Sequence, residues 1–275
     1  MKKILSLLLA LLLLAMPMAA CSADDDNGTT GDLGLSNSEE EEKVYQPTEN
    51  PYEDKFEFDY VGKDIKITGF AGSAEKHVVT VPAKINEIAV VEIAAGTFDN
   101  CSNITEVVIP EGVKVIGDHA FAGCAELTKV TIPASLERIG VAAFMDCNKL
   151  TDLAGLGACA VTEIGEYAFA ECVALTTIDL PAGLTAIKTA TFSDCTALVS
   201  VRIGDAVAKI GAQAFFGCTA LELVALPESV VELGSGAFGN CNPEAMATLK
   251  ASISADMTYP EGVTIDHVFV VLDAE

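Results

Sequence analysis

The chain has 275 residues, of which 40 are acidic and 16 basic, giving a net charge of −24. This negative charge repels nucleic acid and anionic membrane surfaces, so neither is expected as a partner. The charge favours solubility and says little about the fold.

The first 20 residues have the pattern of a secretory signal peptide. Lys2 and Lys3 precede an apolar run from Ile4 to Ala15, and small residues end the segment at Ala20. A basic start, an apolar run and small residues before the cut are typical of such signals. The run is too short to span a bilayer. Residues 1–20 are therefore predicted to be removed on export.

The sequence Met18-Ala19-Ala20-Cys21 resembles the lipobox of bacterial lipoproteins, in which the signal peptidase cuts before a cysteine that carries lipid. On this interpretation Cys21 is the lipid anchor, and two or more acyl chains hold the protein on a membrane that it does not cross. The alternative is an ordinary signal peptide that a cysteine happens to follow.

Residues 21–54 are predicted to form an acidic, disordered tether. They are rich in Asp, Glu, Gly, Ser and Thr and contain almost nothing apolar that could drive burial. The segment Ser22-Ala23-Asp24-Asp25-Asp26 is similar to the acidic tag that sends some lipoproteins to the outer face of diderm bacteria, and plain linker acidity is the alternative. With the tag, we expect an exported protein that is lipid-anchored to the outer membrane and faces the cell surface.

Order is predicted to begin near Lys55, with a β-rich N-terminal cap. Apolar residues alternate with polar ones, as in strands, at Phe56, Phe58, Tyr60, Ile65, Ile67 and Phe70. The segment from Val79 to Ile93 then imitates a first repeat that contains a five-residue insertion.

A 23-residue repeat occupies most of the remaining chain. Each repeat carries a phenylalanine three residues before a cysteine, and the cysteines are 23 residues apart except for one spacing of 25. The phenylalanines are Phe98, Phe121, Phe144, Phe169, Phe192, Phe215 and Phe238, and the cysteines are Cys101, Cys124, Cys147, Cys172, Cys195, Cys218 and Cys241. A fixed period in the twenties indicates a solenoid. One coil cannot bury its own apolar face, so the coils are stable only when stacked.

Each coil is predicted to contain two short extended segments and one helical turn. In one coil Lys129 and Thr131 point outward from a strand that Pro133 ends, because proline has no amide proton to continue a ladder. A second segment ends at Gly140, and Asp118 is placed as a possible N-cap of the helical turn before it.

Two irregular stretches are expected to depart from this pattern. The coil after Cys147 is two residues longer and should bulge locally, with Cys159 filling the bulge. Residues 242–275 are predicted to be a C-terminal cap, with a short helix that Asn242 and Pro243 begin and a closing strand over residues 268–272.

The pattern Leu-x-x-Val-x-Ile-Pro-x-x-Leu-x-x-Ile-Gly-x-x-Ala-Phe-x-x-Cys, from about Val79 to Cys241, resembles the 23-residue Treponema pallidum-type leucine-rich repeat of BspA-like bacterial surface proteins. The resemblance implies a repeat solenoid over residues 55–275, a right-handed leucine-rich-repeat superhelix. The expected solenoid has short parallel strands, short helical turns, a β-rich N-terminal cap and a helix-plus-strand C-terminal cap. Some family members are associated with adhesion to host matrix proteins and to other cells. The resemblance brings no catalytic residues.

The repeat cysteines are predicted to form a buried, reduced ladder. Disulfides are the alternative, because they are common in exported proteins and stacked coils place equivalent Cα atoms about 4.8 Å apart, within the disulfide range. Parallel Cβ vectors point alongside each other, which favours thiols that act as small hydrophobic side chains. No Cys-x-x-Cys pair or histidine cluster is present, so no metal or other cofactor is expected.

The outward positions of the stacked strands are the candidate binding face. They are Glu106, Val108, Lys129, Thr131, Asp152, Thr177, Asp179, Arg202 and Leu223. Lys129 falls between Glu106 and Asp152, and Asp179 faces Arg202, which are arrangements that also serve stability alone. The face lacks aromatic anchors, so we expect a broad, weak and polar contact.

The favoured function is binding of an extracellular or host-surface protein by a non-enzymatic lipoprotein. One alternative is a glycan-binding accessory lipoprotein of a nutrient uptake system, although sugar sites usually contain exposed aromatic side chains. A hydrolase is the other alternative and would require turnover that depends on His77, His119 or His267. Nothing in the spacing of these histidines places them together.

Overall fold

The computed structural model describes residues 55–71 and 77–269. The predicted signal peptide, the lipid anchor Cys21 and the tether of residues 21–54 lie outside the described residues. In chain order the strands are β1 (Phe56–Val61), β2 (Asp64–Phe70), β3 (His77–Thr80), β4 (Lys84–Ile85), β5 (Ile88–Ile93), β6 (Ile104–Val108), β7 (Val115–Ile116), β8 (Lys129–Thr131), β9 (Arg138–Ile139), β10 (Asp152–Ala154), β11 (Glu163–Ile164), β12 (Thr177–Asp179), β13 (Ala186–Ile187), β14 (Ser200–Arg202), β15 (Lys209–Ile210), β16 (Leu223–Val224) and β17 (Glu232–Leu233).

The strands of successive coils stack in parallel on two sides of a solenoid. On the first side the sheets run β10-β8-β6-β3 and β12-β14-β16, and on the second side β5, β7, β9 and β11 are followed by β13, β15 and β17. Equivalent residues lie opposite each other, so that Val130 pairs with Val107 and Leu153 pairs with Val130. The predicted solenoid with short parallel strands is therefore confirmed.

The N-terminal cap forms as the alternating pattern predicts. Strands β1 and β2 are antiparallel, and β2 pairs in parallel with β5 of the first coil. Ile65 and Ile67 of β2 are fully buried, so the cap covers the first apolar layer. The inserted residues form β4 and a tight turn at Asn86 and Glu87, which both have positive φ angles.

The third side of each coil consists of turns, and the predicted helical turn is wrong. In one coil His119 and Gly123 have left-handed φ angles of 55° and 69°, which break a helix. The amide N–H groups of His119, Phe121 and Gly123 donate instead to backbone carbonyls of the next coil, at 2.8 Å each. The turn side is thus a third inter-coil hydrogen-bond ladder.

Asp118 is not an N-cap. Its Oδ1 accepts a hydrogen bond from the amide of Val141, in the next coil, at 2.9 Å. The side chain therefore joins two coils where the sequence predicted a contact within one turn.

The repeat phenylalanines form one buried column along the solenoid axis. Adjacent rings from Phe98 to Phe238 are stacked with centroids 4.8 to 5.4 Å apart and nearly parallel planes. Phe70 and Phe269 add rings at the two ends, at 5.3 Å from Phe98 and 5.9 Å from Phe238. Both caps thus continue the column, and neither end ring of the repeats faces solvent.

The repeat cysteines form a second buried column. Six of them are free thiols, and each Sγ donates to the carbonyl of the phenylalanine in the preceding coil at 3.0 to 3.2 Å; they are Cys124, Cys147, Cys172, Cys195, Cys218 and Cys241. Burial raises the pKa of Cys195 to about 12 and also holds the pKa of Cys172 well above its ordinary value. The column is not reduced throughout, because Cys101 at its start is disulfide-bonded.

The lengthened coil interrupts both sheets. A 3-10 helix at Leu156–Ala158 takes up the extra residues, and the thiol of Cys159 donates to the carbonyl of Leu156 at 2.9 Å. Strand β10 does not pair with β12, and β11 does not pair with β13. The phenylalanine column continues past this point, because Phe144 and Phe169 still stack at 5.4 Å.

The C-terminal cap contains helix α1 (Pro243–Ser252) and helix α2 (Ile265–Val268). Asn242 begins α1 as predicted, since its Oδ1 accepts from the amides of Glu244 and Ala245 at 3.0 and 3.3 Å. The predicted closing strand is wrong at Val268, which lies in α2, and residues 270–272 are outside the described part of the chain. Helix α2 instead ends the hydrogen-bond ladder of the turn side, because the backbone amide of Phe238 donates to the carbonyl of Val268 at 3.0 Å.

Candidate interaction surface

The strand face comprises the outward side chains of β6, β8, β10, β12, β14 and β16. In its N-terminal part Glu106, Lys129 and Asp152 lie in register across three strands, and Val108 and Thr131 form the next row. Glu106 and Asp152 are exposed, whereas Val108, Lys129 and Thr131 are half-buried. The structure therefore brings these five predicted residues together on one sheet.

The C-terminal part of the strand face is a separate sheet. Thr177 pairs in register with Ser200, which pairs with Leu223, and Asp179 lies opposite Arg202. The break between β10 and β12 divides the predicted face into two patches. The sequence contained a signal for this division in the 25-residue spacing between Cys147 and Cys172.

The two cations of the strand face have different surroundings. Lys129 Nζ lies 3.6 Å from Asp152 Oδ2, in the next coil. Arg202 faces Asp179 as predicted, but among the ion pairs of the described residues none involves Arg202. Within the described residues the guanidinium of Arg202 therefore differs from the ammonium of Lys129 in having no carboxylate within 4 Å.

Away from the strand face, lysines join neighbouring coils through acidic side chains. The nitrogen-to-oxygen distances are 3.0 Å for Lys114–Glu137, 2.6 Å for Lys149–Glu126, 2.5 Å for Lys188–Glu163 and 2.6 Å for Lys209–Glu232. Each exposed pair contributes little to stability, about 0 to 1 kcal/mol. Their regular placement matches opposite charges one coil apart and so favours the observed register.

Two clefts open on the strand face. One, of about 410 Å³, lies at the break between the sheets and is lined by Asp152, Gly155, Gly157 and Asp179 among others. The other, of about 490 Å³, lies between β14, β16 and helix α1. The sequence predicts α1 but not the second cleft, because the packing of a helix against a sheet has no signature in local spacing.

The lining of both clefts contains no aromatic side chain. Aromatic rings are the groups that stack on bases and serve as anchors in tight protein interfaces. The surface is therefore suited to polar and aliphatic contacts spread over several coils.

The turn side carries a row of carboxylates at Asp146, Glu171 and Asp194, all at left-handed positions. Loss of hydration raises the pKa of Glu171, and the charge of Asp146, a hydrogen bond with it and the charge of Asp194 raise this pKa further. The repulsion between these carboxylates opposes stacking of the coils when Glu171 is ionised, and protonation of Glu171 relieves it.

The histidines named as hydrolase candidates lie in separate elements. His77 belongs to β3, His119 to a turn, and His267 to α2, where its Nδ1 accepts from the amide of Thr264 at 3.0 Å. Within residues 55–71 and 77–269, no group of three or more His, Cys, Asp or Glu side chains could hold a metal ion. In the same ranges no helix has the length and apolarity needed to cross a membrane.

The model of the BspA type leucine rich repeat region, which contains six copies, matches residues 63–159, 91–203 and 156–255. The chain belongs to this family. The BspA-type match spans residues 63 to 255 and therefore includes every strand of the strand face.

The chain is also similar to solved structures of leucine-rich proteins. The chain is 25% identical to a leucine rich cell surface protein from Faecalibacterium prausnitzii A2-165, with a TM-score of 0.56 over 71% of this chain and 69% of that one. It is 26% identical to the leucine rich repeat protein of T. pallidum, with a TM-score of 0.49 over 65% of this chain and 97% of that one. No curated protein matches the chain.

Proposed function

We propose that this BspA-type chain is a cell-surface protein whose strand face binds an extracellular or host-surface protein. Membership of the family and likeness to a cell surface protein of F. prausnitzii support display outside the cell. The observation that carries the proposal is the register of the strand face, which presents outward side chains from six coils on one side and contains both clefts.

The proposal includes anchoring through a lipid on Cys21, with the acidic segment of residues 22–54 as a spacer. The lipobox-like sequence before Cys21 supports acylation, and an acidic tag after it supports the outer membrane as the destination. Cys21→Ser should abolish lipid labelling and release the protein from membranes, and membrane retention without labelled lipid would contradict the anchor.

Capture of partners tests the binding function. The mature chain with Cys21→Ser is immobilised and exposed to secreted and surface-shaved proteins from the cells among which the organism grows. The test variant is Thr177→Arg on the strand face, and the matched control is Thr162→Arg, an exposed threonine on the second side. We expect capture by the parent protein and the control and reduced capture by Thr177→Arg. Equal capture by all three would contradict binding through the strand face.

A glycan-binding accessory has less support. Sugar rings commonly stack on exposed aromatic side chains, and neither cleft of the strand face contains one. Binding of a glycan array by the parent protein but not by Thr177→Arg would favour this alternative over a protein partner.

A further inference from the structure

A cleft separates the strand face from helix α1. One wall is formed by Ser200 and Arg202 of β14, Val224 of β16 and Ala225 directly after β16, and α1 supplies the other. Helix α1 has one face toward the cleft, with Ala245, Met246, Thr248, Leu249 and Ser252 at helical spacing. The volume of about 490 Å³ lies within the usual range of about 300 to 1,000 Å³ for small-ligand sites.

We propose that this cleft binds an extended segment of a protein partner that carries one aspartate or glutamate next to an aliphatic residue. The inference rests on the proposed function and deepens it, because it states the chemistry that the strand face recognises. The carboxylate pairs with Arg202, and the aliphatic side chain packs against Val224, Ala245 and Met246.

Charge complementarity carries the first half of the proposal. The chain has a net charge of −24, and most of its solenoid lysines are paired with acids one coil away. Arg202 is exposed and forms no ion pair within the described residues, although Asp179 lies opposite it in the register. A guanidinium binds a carboxylate through two parallel hydrogen bonds, which an ammonium group cannot do.

The remaining polar groups narrow the choice of ligand. The hydroxyls of Thr248 and Ser252 already donate to helix carbonyls, of Glu244 at 3.3 Å and of Leu249 at 2.7 Å. Glu222 also lines the cleft and repels a second carboxylate. A segment with a single acid is therefore favoured over an acidic run, and the absence of aromatic rings disfavours a sugar.

The apolar wall is held in place before any ligand binds. Met246 and Leu249 are buried in the core, Asn242 caps the start of α1, and Lys250 Nζ pairs with Asp266 of helix α2 at 2.5 Å. A wall that is already ordered avoids the entropy cost of ordering on binding, which improves the affinity of a short segment.

Peptide binding tests the assignment. The mature chain with Cys21→Ser is applied to an array of random peptides that each contain an Asp-Leu pair, with matched sets containing Asn-Leu or Asp-Ser, and the best binders are measured by surface plasmon resonance. Arg202→Gln should weaken Asp-Leu binding by about tenfold or more, as expected for a lost hydrogen bond to a charged group. Arg138→Gln, an arginine of β9 on the second side, is the matched control and should bind like the parent.

A second variant keeps the test independent of Arg202. Ala225→Glu adds a carboxylate at an exposed position of the cleft and should weaken the same peptides by about tenfold through repulsion. Ala225→Ser should leave binding unchanged. Unfolding curves that match the parent show that both variants fold.

Several results overturn the cleft assignment. The assignment fails if the parent binds no Asp-Leu peptide, or if it binds Asn-Leu or Asp-Ser peptides as tightly as Asp-Leu peptides. It also fails if Arg202→Gln binds Asp-Leu peptides like the parent, or if the parent binds a glycan array through Arg202. The proposed function fails separately, if the parent captures no extracellular protein. Capture that Thr177→Arg reduces and Arg202→Gln leaves unchanged contradicts the cleft alone.

Discussion

Two adjacent phenylalanines allow the stacked core to be tested directly. Phe215 is fully buried and stacks on Phe192 and Phe238 at 5.4 and 5.3 Å, whereas Phe216 is half-buried and lies outside the phenylalanine column. Phe215→Ala removes a buried ring and two ring pairs between coils. Such a truncation costs about 3 to 5 kcal/mol, with the upper part of the range expected because stacked pairs add about 0.5 to 1.5 kcal/mol each.

Phe216→Ala is the matched control because it removes the same side chain one position away. Its cost should be about 1 kcal/mol, the usual cost of a mutation that leaves no large cavity. The assay is urea denaturation followed by circular dichroism, with the midpoint and slope compared for the parent and both variants. Equal shifts for the two variants, or a larger shift for Phe216→Ala, would refute the assigned core.

Three further predictions concern other sides of the coil. Gly140→Ala should destabilise the protein by about 1 to 3 kcal/mol in urea denaturation, because its new Cβ would lie 2.5 Å from the amide nitrogen of Asp118. Gly183→Ala is the control and should be close to neutral, because its Cβ would have no neighbouring atom nearer than 3.4 Å. Equal costs for the two variants would contradict the close approach of coils at Gly140. The six free thiols of the cysteine column should resist iodoacetamide in the native protein, because burial raises their pKa values, and should react after unfolding. Mass spectrometry measures the labelling of each cysteine. Labelling of Cys172 in the native protein would contradict this prediction. The raised pKa of Glu171 gives stability at low pH that is lost as the pH rises through that pKa. Glu171→Gln should therefore stabilise the protein at pH 7 by about 0.5 kcal/mol, and this gain should shrink towards pH 4.5, the ordinary pKa of glutamate. A gain that grows on acidification would contradict the assigned repulsion.

The sequence predicts the stacking because its signal is periodic. A shared spacing places every repeat phenylalanine and cysteine at one height in its coil, so the buried columns and the outward rows of the strand face follow from register alone. The order of Glu106, Lys129 and Asp152 across three strands is an example.

The turn side was predicted wrongly because helical spacing and turn spacing resemble each other over a few residues. The signal that distinguishes them is present at the second left-handed position of each coil. There Asn100, Gly123, Asp146, Asp194, Gly217 and Asn240 are the residue types that tolerate positive φ. Glu171 and the alanines Ala142 and Ala190 adopt the same backbone without such a preference, so the neighbouring coils hold them there.

The cleft beside α1 could not be predicted from spacing, and neither could the absence of an ion pair at Arg202 within the described residues. Both depend on tertiary packing: the direction in which α1 leaves the last coil, and the failure of Asp179 and Arg202 to form an ion pair although their strands are in register. Local sequence fixes which residues face outward but not which of them remain unpaired.

Hydroxyl-radical footprinting of the protein, alone and with a captured partner, tests the central claim most directly, because it reports the solvent access of individual side chains. Val108 reports on the strand face, and the exposed Val141 and Val173 report on the turn side. We predict protection of Val108 and of residues around Arg202, with Val141 and Val173 unchanged. Protection of Val141 and Val173 with the strand face unchanged would contradict binding through the stacked strands.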